Sequence, residues 1–256
     1  MRTVTAHCKA IRSDGFVLLE NLCGGDLTRS ILNVTTSQLK ETLMSLGDKE
    51  IGIGSAAGYR EICQRSQDRW DVPINLDEFQ LHYKESPWWP LIAEVLGEDA
   101  VPYCQGIVSS APGAPAQEWH IDSPHTAKEH TDANAINVLI ALEDISLEMG
   151  PTELALGSHY HTNHFQNKAL VIDELVYQCS ETTPLTLLSS QRRKRFETRI
   201  APMSSGTCLF FDDRILHRGS ANHSDQFRHV AYFSYKKNGY SENTYFESER
   251  SLSELE

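Results

Sequence analysis

The chain has 256 residues, of which 40% are hydrophobic, 9% aromatic and 23% charged, a composition that supports a full apolar core without disulfide or metal staples. Its 23 basic and 35 acidic residues leave a net charge of −12, and a surface that negative repels phosphate backbones and anionic lipid. Nucleic-acid and membrane-surface roles are therefore disfavoured, and a small-molecule partner is expected. The six cysteines (Cys8, Cys23, Cys63, Cys104, Cys179, Cys208) make no C-x-x-C pair, so they predict neither a zinc knuckle nor a dithiol redox motif and read as reduced thiols of a cytoplasmic protein. Residues 1–20 lack the basic region and apolar run of a secretory signal, and no stretch approaches the length of a membrane span.

Taken in chain order, residues 4–13 predict a helix stopped by Asp14-Gly15, and residues 16–19 a short apolar strand. A second helix is expected from a cap at Asp26 or Thr28 to about Leu46, with Ile31, Leu32, Leu39, Leu43 and Leu46 on one face. A third is expected from Ser86 through Leu96, closed by Gly97, with Pro87 and Pro90 in its first turn and Trp88-Trp89 anchoring it in the core. From Val101 the texture changes to short β-type runs at 101–109, 135–142, 153–156, 196–201, 207–211 and 228–235. Their spacing predicts a mainly β fold, an antiparallel sandwich or jelly roll with the N-terminal helices packed on one sheet. The chain reads as one domain: a helical part over 1–100, a jelly-roll core over 101–238 and a tail over 239–256. Residues 159–195 form an insertion of the kind that makes lids or binding loops, and its basic run, 192–195, reads as a solvated turn.

The chemistry concentrates in Trp119-His120-Ile121-Asp122 and, much later, Phe210-Phe211-Asp212-Asp213-Arg214-Ile215-Leu216-His217-Arg218-Gly219. Alternate residues of a strand face one side, so His120 and Asp122 are expected to point together into a barrel mouth, with His217 arriving from another strand. Two imidazoles and one carboxylate on one face of a metal leave the opposite positions open, the facial triad of non-haem Fe(II) oxygenases. Singly, each histidine reads as an ordinary hydrogen-bonded one; jointly they read as a metal site. Arg228 opens the last strong strand, where an antiparallel connection is expected to bring it alongside His217 as a bidentate clamp for a distal carboxylate. Asp213 and Arg218 read as turn residues.

Gln105-Gly106-Ile107-Val108-Ser109, His120-Ile121-Asp122, Glu148-Met149-Gly150-Pro151-Thr152-Glu153, Gly157-Ser158-His159 and residues 206–228 together resemble the phytanoyl-CoA dioxygenase family of Fe(II)- and 2-oxoglutarate-dependent oxygenases. The resemblance runs from Asp14-Gly15-Phe16 to the last strand, and it implies a double-stranded β-helix, the cupin-like jelly roll. It implies that His120, Asp122 and His217 ligate Fe(II), that Arg228 holds the distal carboxylate of 2-oxoglutarate, and that Gln105 contacts the co-substrate near the metal. Asn137 is a further candidate polar contact. Gly157-Ser158-His159 looks like the family's strand-end turn, which argues against a zinc cluster of His159, His161 and His164. The chain departs from the family at Gly219, where many relatives place a Ser or Thr that hydrogen-bonds the same carboxylate, and Ser220 on a strand would point the other way.

The implied reaction uses O2 to oxidise, most simply to hydroxylate, a small organic metabolite, releasing succinate and CO2, with ascorbate as a candidate reductant. Asp122 argues against a halogenase, whose relatives carry a small residue there. The alternative is a non-oxidative metal-binding jelly roll, a cupin-like isomerase or metabolite-binding module; Arg228 stands against it and Gly219 is the only feature that favours it. Substrate choice falls to residues 125–134, the insertion and residues 59–70. The sequence leaves open a natural product, an amino-acid-like compound or an acyl-CoA, and a monomer or homodimer.

Overall fold

Local chemistry sets the first turn of the fold. Helix α1 (Arg2–Asp14) ends at Gly15, whose φ of +90° and whose N–H bond to the Ile11 carbonyl (3.0 Å) close it. A Cβ at Gly15 would lie 2.7 Å from both His159 Nδ1 and Ile215 Cδ1, so the position requires glycine for its conformation and for its neighbours. The computed structural model describes residues 2–47, 63–123, 129–162 and 196–241. Strand β1 (Phe16–Leu19) follows, then α2 (Gly25–Leu46), capped by Gly24. Neither expected cap is used: Asp26 sits in the first turn, and the Thr28 hydroxyl donates back to the Gly25 carbonyl.

The structure adds a hairpin that the sequence pattern did not show, β2 (Cys63–Ser66) with β3 (Arg69–Pro73). Helix α3 (Trp89–Leu96) starts later than expected, with Pro90 in its first turn; Ser86 instead donates to the Tyr83 carbonyl (2.7 Å) and closes the preceding 3-10 turn. The remaining strands are β4 (Val101–Ser110), β5 (Ala135–Ala141), β6 (Thr152–Ala155), β7 (Thr198–Ala201), β8 (Cys208–Asp212), β9 (His217–Gly219) and β10 (Arg228–Lys236).

Two antiparallel sheets result: seven strands in the order β1-β8-β5-β10-β4-β3-β2, and three in the order β7-β6-β9. The large sheet buries apolar side chains on both faces, as a middle layer must, and its inner face also carries buried polar ones. Against the helices it turns Ile107, Ile136, Val138, Ile140, Phe210, Ala231, Phe233 and Tyr235, which pack on Ile11, Ile31, Leu39, Trp88, Ile92 and Leu96. Trp88 is fully buried, stacks on Phe233 with ring centroids 4.8 Å apart, and donates its Nε1–H to the Tyr235 hydroxyl (2.8 Å). The other face turns Ala141, Leu209, Phe211 and Val230 onto Leu154 and Ala201 of the small sheet. This is the expected jelly roll with its N-terminal helices on the large sheet, and the space between the sheets holds the functional groups. The insertion from residue 163 and the tail from residue 242 lie outside the described residues.

Candidate metal centre

Strand β9 carries His217, and a single antiparallel bridge fastens His120 to it: each residue's N–H donates to the other's carbonyl, at 3.1 and 2.9 Å. His120 and Asp122 thus lie on an irregular segment instead of the expected strand. Its bend is fixed by the Asp213 carbonyl, which accepts from the N–H groups of Asp122 (2.9 Å) and Ser123 (3.1 Å). His120 Nδ1 lies 2.8 Å from the Glu118 carbonyl and His217 Nδ1 lies 3.0 Å from that of Ile215. A carbonyl only accepts, so both Nδ1 atoms carry the proton and both Nε2 atoms present lone pairs.

Asp122 Oδ2 receives the Asn137 amide N–H at 2.5 Å and stands 3.7 Å from His217 Nε2. Three ligand atoms, one from each of His120, Asp122 and His217, lie within 4.8 Å of one another. Acceptors facing acceptors in a half-buried recess fit a bound cation, and two imidazoles with one carboxylate suit Fe(II). The Phe211 ring packs beside His217, 4.8 Å between centroids.

The sequence profile of the phytanoyl-CoA dioxygenase family (PhyH) matches residues 11–230. The chain belongs to the phytanoyl-CoA dioxygenase family. No curated protein sequence matches it. Among solved structures it is similar to AviO1 from Streptomyces viridochromogenes Tue57, at 17% identity over 94% of this chain and 97% of that one, with a TM-score of 0.57. It is similar to the non-haem alpha-ketoglutarate-dependent carbocyclase SnoK from nogalamycin biosynthesis, at 17% identity over 91% and 83%, TM-score 0.54. HygX from Streptomyces hygroscopicus, solved with nickel, 2-oxoglutarate and hygromycin B bound, matches at 11% identity over 96% and 92%, TM-score 0.62. These likenesses carry the fold.

Within this phytanoyl-CoA dioxygenase fold, Arg228 stands elsewhere than the sequence spacing suggested. β10 pairs with β4 and β5 while β9 pairs with β6, so Arg228 approaches the β9 segment across the space between the sheets instead of from a neighbouring strand. It is buried opposite Ser110, whose hydroxyl accepts from Nη2 at 2.8 Å, and its Nε and Nη1 have no hydrogen-bond partner among the described residues. Burial, then the nearby Arg69 guanidinium, push its pKa down to about 9, which leaves it charged at neutral pH.

Gln105 does not join these groups. It stands opposite Phe233 in the β4–β10 register, on the face turned to the helices, whereas Asn137 stands opposite Ser234 on the face turned to the small sheet. Strand parity thus places Gln105 on the face away from the triad and Asn137 beside it.

His159 sits in a 3-10 turn (Ser158–Tyr160), buried, with Nε2 3.1 Å from the Arg12 carbonyl and its ring 5.4 Å from that of His130. Its neighbour Ser158 braces the segment that leads into His217 by accepting the Leu216 N–H (2.8 Å). His164 lies outside the described residues.

Three groups were missed or undervalued in the sequence. Asp213 is fully buried, and burial with the adjacent Asp212 charge pushes its carboxyl well above the ordinary range. Arg218 pairs with Glu153 (3.0 Å) and lies over the Trp119 ring, 4.6 Å from its centroid. Arg69, on the unforeseen strand β3, is buried facing the same region as Arg228, and only the alternation Arg69-Trp70-Asp71-Val72 could have signalled it.

Proposed function

We propose that the protein is an Fe(II)- and 2-oxoglutarate-dependent oxygenase acting on a small organic metabolite. The observation that carries this reading is the pairing of a three-acceptor cluster, His120, Asp122 and His217, with the buried, incompletely bonded guanidinium of Arg228 between the same two sheets. His120, Asp122 and His217 would hold the iron, and Arg228 the distal carboxylate of 2-oxoglutarate. Iron bound there would supply the redox chemistry that couples conversion of 2-oxoglutarate and O2 to succinate and CO2 with oxidation of the substrate.

The chain's own groups prepare that chemistry. The Glu118 and Ile215 carbonyls hold both imidazoles in the tautomer that offers Nε2. Asn137 occupies one lone pair of Asp122 Oδ2 and fixes the carboxylate's rotation. Arg228, in a dry setting, attracts a carboxylate far more strongly than it could in water. Phe211, Leu209 and Val230 keep the inner face apolar, which limits water around the reacting groups.

The substrate class is read from charge and from likeness. A net charge of −12 disfavours a polyanionic carrier such as an acyl-CoA, and relatives in fold include an enzyme solved with hygromycin B and a carbocyclase of nogalamycin biosynthesis. We therefore favour a natural-product-like metabolite, with hydroxylation as the simplest outcome and ring closure as the variant that SnoK's chemistry suggests.

The test is an anaerobic titration of the purified apo-protein with Fe(II) and 2-oxoglutarate, watching the visible metal-to-ligand charge-transfer band. The band is expected in wild type, absent in His217→Ala, and shifted to much higher 2-oxoglutarate in Arg228→Ala. A folded, iron-loaded wild type without the band sinks the oxygenase reading and leaves a non-oxidative binding jelly roll.

A further inference from the structure

Two buried guanidiniums converge on Gly219. A Cβ built there would lie 3.2 Å from Arg228 Nη2, 3.4 Å from Arg69 Nε and 2.7 Å from Gln117 Oε1, the atom that accepts the Gly219 N–H. A side chain at 219 would therefore press on Gln117 and Arg228 and touch Arg69, so both cations stand around the same point. Neither guanidinium forms an ion pair among the described residues.

Their remaining bonds leave a specific deficit. Arg69 donates from Nη1 to the Pro115 carbonyl and from Nη2 to those of Ser220 (2.8 Å) and Gly219 (3.5 Å), which aim the group without neutralising it. Arg228 donates from Nη2 to Ser110. Arg69 Nε, Arg228 Nε and Arg228 Nη1 are buried and unbonded among the described residues. Two like charges in a dry space with three idle N–H groups are unfavourable unless an anion joins them. Burial lowers the pKa of Arg69 to about 10 as it does that of Arg228, so both stay charged at neutral pH and the deficit persists.

We infer that Arg69 is a second co-substrate-binding cation, forming with Arg228, beside Gly219, a paired-guanidinium subsite for the distal carboxylate of a 2-oxo dicarboxylic acid. The inference rests on the oxygenase reading and adds to it a residue from a different strand. A carboxylate there receives charged N–H donors from two sides, so the site selects for the distal carboxylate more strongly than one arginine would.

The experiment compares two acids that share the chelating 2-oxo carboxylate, 2-oxoglutarate and 2-oxopentanoate, the second lacking the distal carboxylate. Each is titrated anaerobically into Fe(II)-loaded wild type, Arg69→Met, Arg69→Lys and Arg228→Met, with Fe(II) affinity measured separately by chelator competition. Arg69→Met is expected to weaken 2-oxoglutarate roughly tenfold to a hundredfold, the usual loss of a charged hydrogen bond, and to leave 2-oxopentanoate and Fe(II) unchanged. Arg69→Lys, which keeps the charge and loses the Nε–H, is expected to weaken 2-oxoglutarate less; it carries the test if Arg69→Met fails to fold.

Gly219→Ser adds a readout that a merely structural arginine does not move. The serine is expected to weaken 2-oxoglutarate when Arg69 is present, because its Cβ crowds Arg228 and lies against Arg69, and to recover part of the loss in the Arg69→Met background, because its hydroxyl then donates beside the space that the arginine vacates. An Arg69→Met loss shared equally by both acids, or no loss at all while Arg228→Met is effective, overturns the inference and leaves the oxygenase reading intact. Wild type that binds both acids alike overturns that reading itself.

Discussion

Along β10 successive side chains meet two different surroundings. Ala231, Phe233 and Tyr235 face the helices, where the apolar contacts close on one another and the Tyr235 hydroxyl is met by Trp88 Nε1–H. Arg228, one strand face away, is just as buried and keeps two N–H groups without partners. One sheet therefore has a face completed by its own chain and a face left incomplete. The difference teaches where to look for stability and where for binding: truncation on the helix side removes energy the fold uses, whereas truncation on the inner side is expected to cost binding more than stability.

The largest expected effect breaks the helix side. Trp88→Ala deletes a fully buried ring, its stack on Phe233 and its bond to Tyr235, and large-to-small changes of this kind cost about 3 to 5 kcal/mol. Denaturant unfolding should show that loss, while metal affinity of the folded fraction stays as in wild type. A change in metal affinity comparable to the stability loss would mean that the two faces are not separable.

The next effect sharpens the contrast through pH. His229 faces the helix side, 2.7 Å from the Ser109 hydroxyl, and burial, then the Arg228 charge, push its pKa from the ordinary 6.5 down to about 4. Its folded pKa is thus below its unfolded one, so between about pH 6.5 and 4 the unfolded chain binds a proton that the folded chain refuses. Stability from this group is complete above pH 6.5 and falls by about 3 kcal/mol as the pH drops to 4. His229→Gln should flatten that part of the melting-temperature profile; a profile identical to wild type would show that another group governs the acid limb.

How far the sequence could be read follows the same division. The apolar periodicities at 4–13 and 26–46 and the β-type runs from Val101 onward were legible because tertiary packing agrees with local pattern there. The triad was legible from residue type and order, but not its backbone: prolines at 112, 115 and 124 bound the His120 segment, and such a stretch gives a lone bridge to β9 instead of a strand. β3 escaped notice because its inward residues, Arg69 and Asp71, are charged. Polarity at interior positions mimics a loop. Gln105, which the resemblance sets near the metal, stands on the face turned to the helices, because strand parity follows the register with β10.

On the inner face, Asn137→Leu removes the N–H held by Asp122 Oδ2 without emptying the buried position. Loss of a partner that orients a metal ligand typically weakens metal affinity tenfold to a hundredfold, about 1 to 3 kcal/mol. Chelator competition should find that loss with little change in melting temperature. Unchanged metal affinity would show that the bend held by the Asp213 carbonyl is enough to aim Asp122.

The smallest expected effect has the most telling sign. Arg228→Met removes a buried charge that faces another cation, Arg69, and forfeits one bond to the Ser110 hydroxyl. The first change favours the fold and the second opposes it, with a net gain of about 1 kcal/mol, or roughly 2 to 4 °C in a chain of this size. The apo variant should therefore melt above apo wild type. Saturating Fe(II) with 2-oxoglutarate should reverse the order, since ligand at about a hundred times its Kd stabilises wild type by about 2.7 kcal/mol and the variant by much less. Two melting curves that cross on adding ligand identify a residue kept for binding at the fold's expense. An apo variant several degrees below wild type would instead make Arg228 a structural brace, and the inner face would be no less self-sufficient than the outer one.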